Sequence, residues 1–228
     1  MTDPTATPPA TRRAYLSWAL RGMAAGAAAL ILLLLFGLLV DRWPFPWDRA
    51  ILTGLRAYGP SPGLMRAAVD ITALGSVTVL IMMVAGAALL LLARGLWLTA
   101  AATAAAGISG GAMVTLIKHI VARARPNLVP HWVDVSNASF PSGHAAGSAM
   151  VYLTLAALAT QVTRTPRVRL ATVALAVLLV GVIGVSRVYL GVHWPSDVAA
   201  GWCFGTLWAL SWWWATAAAR ASWGAERQ

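Results

Sequence analysis

Six residues between positions 118 and 197 stand out in a chain otherwise poor in charge: Lys118, Arg125, His144, Arg187, His193 and Asp197. Lys118 and Arg125 lie seven residues apart, so on one helix they differ by about 20° and sit roughly 10 Å apart along its axis. Both can then face one site, with Pro126 stopping the helix behind them. The same two side chains also fit a helix end whose cations snorkel to an interface. Pro141-Ser142-Gly143-His144 reads as a helix start, with Ser142 as N-cap and Gly143 allowing close backbone approach to a ligand. The free N–H groups and partial positive charge of such a start suit a phosphate. An ordinary capped helix explains all of this except His144. Further on, Arg187 precedes His193 by six residues and Asp197 follows it by four. Trp194-Pro195-Ser196 reads as a helix entry with proline at a tolerated first-turn position. From that turn Asp197 can reach one ring nitrogen of His193, fix the tautomer and leave the other nitrogen basic, as an activated histidine nucleophile requires. A structural His–Asp pair accounts for these two equally well. Their combination is more specific than any part. Three cations, a helix N-terminus and two histidines describe a site for a tetrahedral dianion, with Arg giving bidentate contacts and Lys a point charge.

The elements that must position these groups are apolar. Of 228 residues 59% are hydrophobic and 11% charged, against roughly 25% charged in soluble chains. One domain fits this length. A spanning helix needs about 20 mostly apolar residues, and six segments meet that ruler: 20–40, 71–93, 96–117, 144–161, 170–186 and 197–216. The expected fold is therefore all-α, a six-transmembrane-helix bundle over residues 14–220. Short cytoplasmic tails flank it at 1–13, read as disordered, and at 221–228. Gly22 to Val40 lacks a small-residue cleavage site and reads as the first span rather than a signal peptide. The third span is rich in Ala and Gly from Ala100 to Ala112, which suits close helix packing. Between the first two spans, Asp41 to Asp70 holds Trp43, Trp47, four prolines and four arginines. Ile51, Leu52 and Leu55 share one helical face there, so a short interfacial helix is expected. The twelve Trp fit interfacial anchors.

The net charge of +10 comes from 17 basic residues scattered between apolar runs rather than gathered in a stripe. No nucleic-acid partner is expected. The partners implied are the bilayer and an anionic ligand. The basic residues divide almost evenly across the membrane until Lys118, Arg125 and Arg187 are set aside as functional. The remainder puts both termini inside and the loops 118–143 and 187–196 outside. Cys203, the single cysteine, excludes an intrachain disulfide and reads as a small buried hydrophobe. His119 follows Lys118 on the helix and reads as structural, and His131 as a solvated surface residue. Arg123 fits either a pair with Asp134 or an anionic headgroup.

Lys118-x6-Arg125-Pro126, Pro141-Ser142-Gly143-His144 and Ser186-Arg187-x5-His193-x3-Asp197 resemble the three-part motif of the type 2 phosphatidic acid phosphatase family, with every position matched in order and spacing. The resemblance implies that His193 is the nucleophile, forming a phosphohistidine, and that Asp197 orients it. It implies that His144 is the acid that protonates the leaving group and the base that later activates water. Lys118, Arg125, Ser142, Gly143 and Arg187 become the phosphate-binding set. No cofactor or metal is implied. The cations supply the positive charge, and Asp134 alone is too few carboxylates to hold a metal ion.

The expected function is hydrolysis of a lipid phosphomonoester or diphosphate, since the site lies at the outer ends of spans where a headgroup sits. Undecaprenyl diphosphate, phosphatidylglycerol phosphate, phosphatidic acid and lipid A are candidates, with undecaprenyl diphosphate recycling or a broad specificity favoured by the resemblance. Three alternatives share the site: a phosphotransferase, a vanadate-dependent haloperoxidase, and a non-catalytic lipid-phosphate transporter or binding protein. Six spans without soluble bulk disfavour the haloperoxidase. A transporter needs the cations but neither nucleophile nor acid. Short loops and high Ala and Arg usage suggest a bacterial inner membrane, with the site on the outer face.

Overall fold

The computed structural model describes residues 12–43, 45–57, 59, 61–163 and 165–223. Most of the tails expected over 1–13 and 221–228 lies outside the described residues. Eight helices are described: α1 (Arg12–Arg42), α2 (Pro46–Ala57), α3 (Pro62–Ala73), α4 (Val77–Ala93), α5 (Trp97–Val121), α6 (Gly143–Val162), α7 (Pro166–Tyr189) and α8 (Pro195–Trp223). No strand is found among the described residues.

The long helices follow the expected apolar segments closely, but one is broken. The stretch expected as a single span over 71–93 bends by 43° between α3 and α4. Ser76 starts the new helix by accepting a hydrogen bond from Val79 N–H. At Gly75 a Cβ would come within 2.6 Å of Ile183 and 3.2 Å of His144, so only glycine permits the close approach made there. The connection from α1 to α4 thus holds two short helices where one was expected. By length and apolarity α5, α7 and the Leu20–Arg42 part of α1 qualify as membrane spans on their own, and α3 with α4 makes a fourth if counted together. α6 and α8, expected as spans, do not qualify by that measure. They carry Gly, Ser, Thr and Trp because much of their surface meets other helices rather than lipid.

α6 occupies the middle of the bundle, packed against α4, α5, α7 and α8, while α1 lies along α8. On one side of it Leu33, Val40, Ile117, Met150 and Phe204 form an apolar cluster; on the other, Leu80, Tyr152, Val180 and Ile183 form a second. α1 and α7 leave most of their apolar side chains on the outside. Close approach of α6 and α8 depends on missing side chains. A Cβ at Gly201 would lie 2.8 Å from the Ser142 carbonyl oxygen, and one at Gly205 2.3 Å from that of Ala146. This contact matters because α6 begins at the Ser142–His144 stretch and α8 begins just after His193.

Two expectations are corrected. Cys203 is exposed on α8 rather than buried, a position a small apolar thiol tolerates on a lipid-facing surface. Several of the Trp are not interfacial anchors: Trp194, Trp202 and Trp208 donate their indole N–H to the carbonyls of Ala124, Val180 and Ala106 inside the bundle.

Gly205→Ala is expected to lower stability by roughly 1–3 kcal/mol, the usual cost of overpacking. Gly111→Ala, where a Cβ meets nothing within 4 Å, is expected to leave the unfolding midpoint unchanged or slightly raised. Thermal unfolding of the two variants in detergent checks the contrast.

Candidate active site

The carboxyl end of α5 shows how the first motif reaches the site, and it is not by one continuous helix. α5 ends at Val121, and Ala122 adopts the left-handed conformation (φ 51°), its N–H returning to the Lys118 carbonyl. The helix therefore stops ahead of Pro126, and Arg125 is carried by a non-helical segment, in keeping with the bias away from helix of a residue before proline. Helical spacing does not explain why Lys118 and Arg125 share a site; loop packing does. The Arg125 side chain is held by the Asn137 carbonyl (2.8 Å), Asn137 Oδ1 (2.7 Å) and the Val192 carbonyl (2.5 Å). Lys118 Nζ, from the last turn of α5, donates to the Ala138 carbonyl at 2.6 Å. The loop is fastened from outside by Arg56 of α2, which donates to the Tyr189 and Pro130 carbonyls and stacks 3.3 Å over the Trp132 ring.

Ser142 caps α6 as expected, its Oγ accepting from Ala145 N–H. It is fully buried and does not line the cavity described below, whereas Gly143 and His144 do. Arg187, in the last turn of α7, is buried and donates to Thr72 Oγ1 of α3 at 3.0 Å. Its Nε is buried without a hydrogen-bond partner. A buried unpaired guanidinium nitrogen is costly and fits an anionic ligand in the adjoining space.

His193 sits in the turn between α7 and α8 with 2% of its surface exposed. Its Nδ1 lies 3.5 Å from Asp197 Oδ2 and 3.3 Å from Ser139 Oγ. Ser139 donates its hydroxyl proton to Asp197 and can therefore accept one from Nδ1–H. On the far side Arg125 Nη1 lies 3.3 Å from Nε2. A guanidinium can only donate, so Nε2 carries the lone pair and Nδ1 the proton. Burial drives the ring pKa down from the usual histidine value to about 3; hydrogen bonding and attraction from Asp197 oppose this, while Arg125 and Arg187 add to it. The ring is neutral at neutral pH, the state a nucleophile requires. Burial likewise lowers the pKa of the Arg125 guanidinium, partly offset by Asp197.

Lys118, Arg125, Gly143, His144, Arg187 and His193 line one end of a single cavity of about 820 Å³. Polar residues of the loop after α5, among them Asp134, Ser136 and Asn137, also border it. Most of the remaining wall is apolar, built by Leu80, Ile81 and Val84 of α4, Gly107, Ile108 and Gly111 of α5, and Met150 of α6. Ile81 and Ile108 are also exposed, so this wall runs out to the surface of the bundle. The Ala/Gly-rich part of α5 therefore does more than pack closely. Gly110 meets Met150 tightly, while Gly111 leaves open space.

Residues 94–221 match the model of the PAP2 superfamily. The chain belongs to that superfamily. Among its relatives, phosphatidylglycerophosphatase B of Bacillus subtilis is 36% identical over 40% of this chain and 45% of its own length. The lipid A 1-phosphatase of Rhizobium etli is 33% identical over 45% and 44%. The decaprenylphosphoryl-5-phosphoribose phosphatase of Mycobacterium tuberculosis is 34% identical over 63% and 76%. The match spans under half the length of the first two. A crystal structure of a transmembrane PAP2-type phosphatidylglycerolphosphate phosphatase from Bacillus subtilis superposes with a TM-score of 0.66 at 26% identity, covering 79% of this chain and 92% of that one. Phosphatases of phosphorylated lipids in membranes are thus the company this PAP2 chain keeps.

Within the PAP2 domain, Asp197 lies behind His193, fully buried and away from the cavity wall. Arg123 does neither of the things expected of it. It is 4% exposed and pairs with Asp197 (2.5 Å) and Asp48 (3.1 Å), while Asp134 stands exposed at the cavity mouth. His119 is exposed and outside the cavity, and His131, though exposed, contacts the Pro126 carbonyl at 2.7 Å. Ser139, Thr72, Asn137 and Asp48 escaped the sequence reading, because each acts through a partner distant in the chain. Only Asp48 gave a signal, as an acid four residues before Leu52 on the inward face of α2.

Asn137→Ala is expected to raise the KM for a phosphate-ester substrate about fivefold, the equivalent of losing one hydrogen bond of about 1 kcal/mol, with kcat less affected. Steady-state phosphate release against substrate concentration checks it.

Proposed function

We propose that this protein is a metal-independent lipid phosphatase that hydrolyses a lipid phosphomonoester or diphosphate through a phosphohistidine on His193. The observation that carries the reading is one cavity joining a cationic end, with two histidines, to an apolar wall that opens on the bundle surface. Such a space fits an amphiphile whose phosphate and hydrocarbon must be accommodated together. A water-soluble phosphate ester needs no such wall.

In this mechanism Lys118, Arg125 and Arg187, with the Gly143 N–H at the start of α6, hold the phosphoryl oxygens and neutralise their charge in the transition state. Ser142 contributes by capping that helix. Nε2 of His193 attacks phosphorus in line; the N–P bond forms as the bond to the leaving oxygen breaks. That oxygen belongs to the lipid alcohol in a monoester or to the inner phosphate in a diphosphate. His144 gives that oxygen a proton and then, as base, takes one from the water that cleaves the N–P bond and releases phosphate. Asp197 stabilises the positive charge that develops on the imidazole. His144 and His193 favour hydrolysis over a transporter role, because retention alone needs only the cations. Undecaprenyl diphosphate, phosphatidylglycerol phosphate, phosphatidic acid and lipid A remain the substrate candidates. The names of the relatives support a phosphorylated glycerolipid, lipid A or prenyl lipid equally.

We place the chain in a bacterial inner membrane with α1, α4, α5, α6, α7 and α8 as six spans, both termini inside and the cavity mouth outside. One catalytic domain over residues 14–220 fits that arrangement.

His193→Ala is expected to abolish phosphate release from a panel of lipid phosphates in detergent, while EDTA leaves the wild type active. Acid-labile labelling of the protein by ³²P-lipid should disappear in the same variant. Full activity in His193→Ala, or loss in EDTA restored by a divalent metal, refutes the mechanism. In a Cys203→Ser background, Ser136→Cys at the cavity mouth should react with a membrane-impermeant maleimide in intact spheroplasts. Reaction only after lysis reverses the orientation.

A further inference from the structure

The segment between α1 and α4 carries none of the three motifs, yet it sends an ionisable side chain beneath the site. Asp48, in the first turn of α2, is fully buried. Its Oδ1 accepts the Ser196 N–H at 2.8 Å, and its Oδ2 accepts from Ser196 Oγ at 2.5 Å and from Arg123 Nη2 at 3.1 Å. Ser196 is the second residue of α8, so its N–H is one that the helix cannot satisfy itself. Asp48 therefore caps, from another helix, the very turn that carries Asp197. Arg123 completes the connection, since its Nη1 donates to Asp197 Oδ1 and to Ser196 Oγ.

The array of Asp48, Arg123 and Asp197 carries one net negative charge and lies on the Nδ1 side of His193. Lys118, Arg125 and Arg187 lie toward the cavity, with Arg125 on Nε2. The imidazole thus stands in a field that holds its proton toward the carboxylates and its lone pair toward the cations. Asp197 itself is fixed at four points: Arg123 on Oδ1, and Ser139, the Trp194 N–H and the His193 ring on Oδ2. A carboxylate held in this way cannot rotate to offer the ring a different oxygen or a different distance.

We propose that Asp48 and Arg123 are positioning residues of the hydrolysis, which lock Asp197 and Ser139 behind Nδ1 of His193 and so keep Nε2 bare and aimed at phosphorus. The inference rests on His193 being the nucleophile. It makes α2 part of the catalytic apparatus, through an ion pair rather than a contact with substrate.

Asp48→Asn keeps the shape and removes the charge. It is expected to lower kcat about tenfold or more, the usual effect of a partner that orients a reactive group, with KM within about twofold of wild type. In an Asp197→Asn background, adding Asp48→Asn should cost nothing further, because the residue it acts through is already disabled. A kcat unchanged by Asp48→Asn, or a full multiplicative loss in the Asp197→Asn background, overturns the inference and leaves only a packing role. If Asp48→Asn is not recovered as a monodisperse species, Arg123→Lys, which keeps the charge but loses the fork, is put through the same cycle. A second readout needs no turnover. With ¹⁵N-labelled histidine, of which the chain has four, the His193 ring should shift from the Nδ1–H tautomer toward a mixture in Asp48→Asn; an unchanged ring overturns the inference. An active wild type indifferent to His193→Ala overturns the nucleophile reading instead, and the tautomer measurement distinguishes the two failures.

Discussion

A neutral imidazole buried between opposite charges is the constraint on which the rest of the structure depends. His193 has almost no contact with solvent, so its protonation and orientation are decided by neighbours rather than by water. Asp197 and Ser139 stand at Nδ1, and Arg125 stands at Nε2. Each of those neighbours is expensive to bury alone. Asp197 needs Arg123, Arg123 needs Asp48, and Asp48 is satisfied by the start of α8. Polar groups taken out of water must be paired, and here the pairing recruits α2, the loop after α5 and the first turn of α8 into one unit.

Helix packing then fixes where that unit lies relative to the second histidine. His144 opens α6, and the turn bearing His193 leads into α8. These two helices approach until Gly201 and Gly205 nearly touch the α6 backbone. The hydrogen bond from Ser142 N–H to the Asp197 carbonyl joins the two helix starts directly. Small residues, which drive association where lipid removes the hydrophobic gain, thereby place one histidine-bearing helix start against the other. The break between α3 and α4 serves the same end from the opposite side, with Thr72 holding Arg187 and Gly75 passing close to His144.

Much of this was legible in the sequence. Apolar run length located α5, α6 and α7 within about four residues and the bodies of α1 and α8, whose far ends run seven or eight residues further, because a helix in lipid must satisfy its own backbone and must reach across. The helix start at Ser142 was visible because a cap is a local interaction. His193 and Asp197 were visible because a spacing of four spans the turn that joins them. The reading failed where geometry depended on partners far along the chain. Arg125 reaches the site from a loop held by Asn137 and Val192 rather than from a helix face. Cys203 faces outward, and the Ala/Gly-rich stretch of α5 walls a cavity as well as packing against Met150.

The sequence by itself determined an all-helical chain with membrane-length apolar segments and motifs that resemble those of the PAP2 superfamily, since apolarity, capping and short-range spacing are local properties of the chain. Only the tertiary structure decided which cation meets which carboxylate. Asp48 and Arg123 are 75 residues apart, and no periodicity connects them. They pair because burying either charge alone is prohibitive, and the folded bundle offers each of them the other.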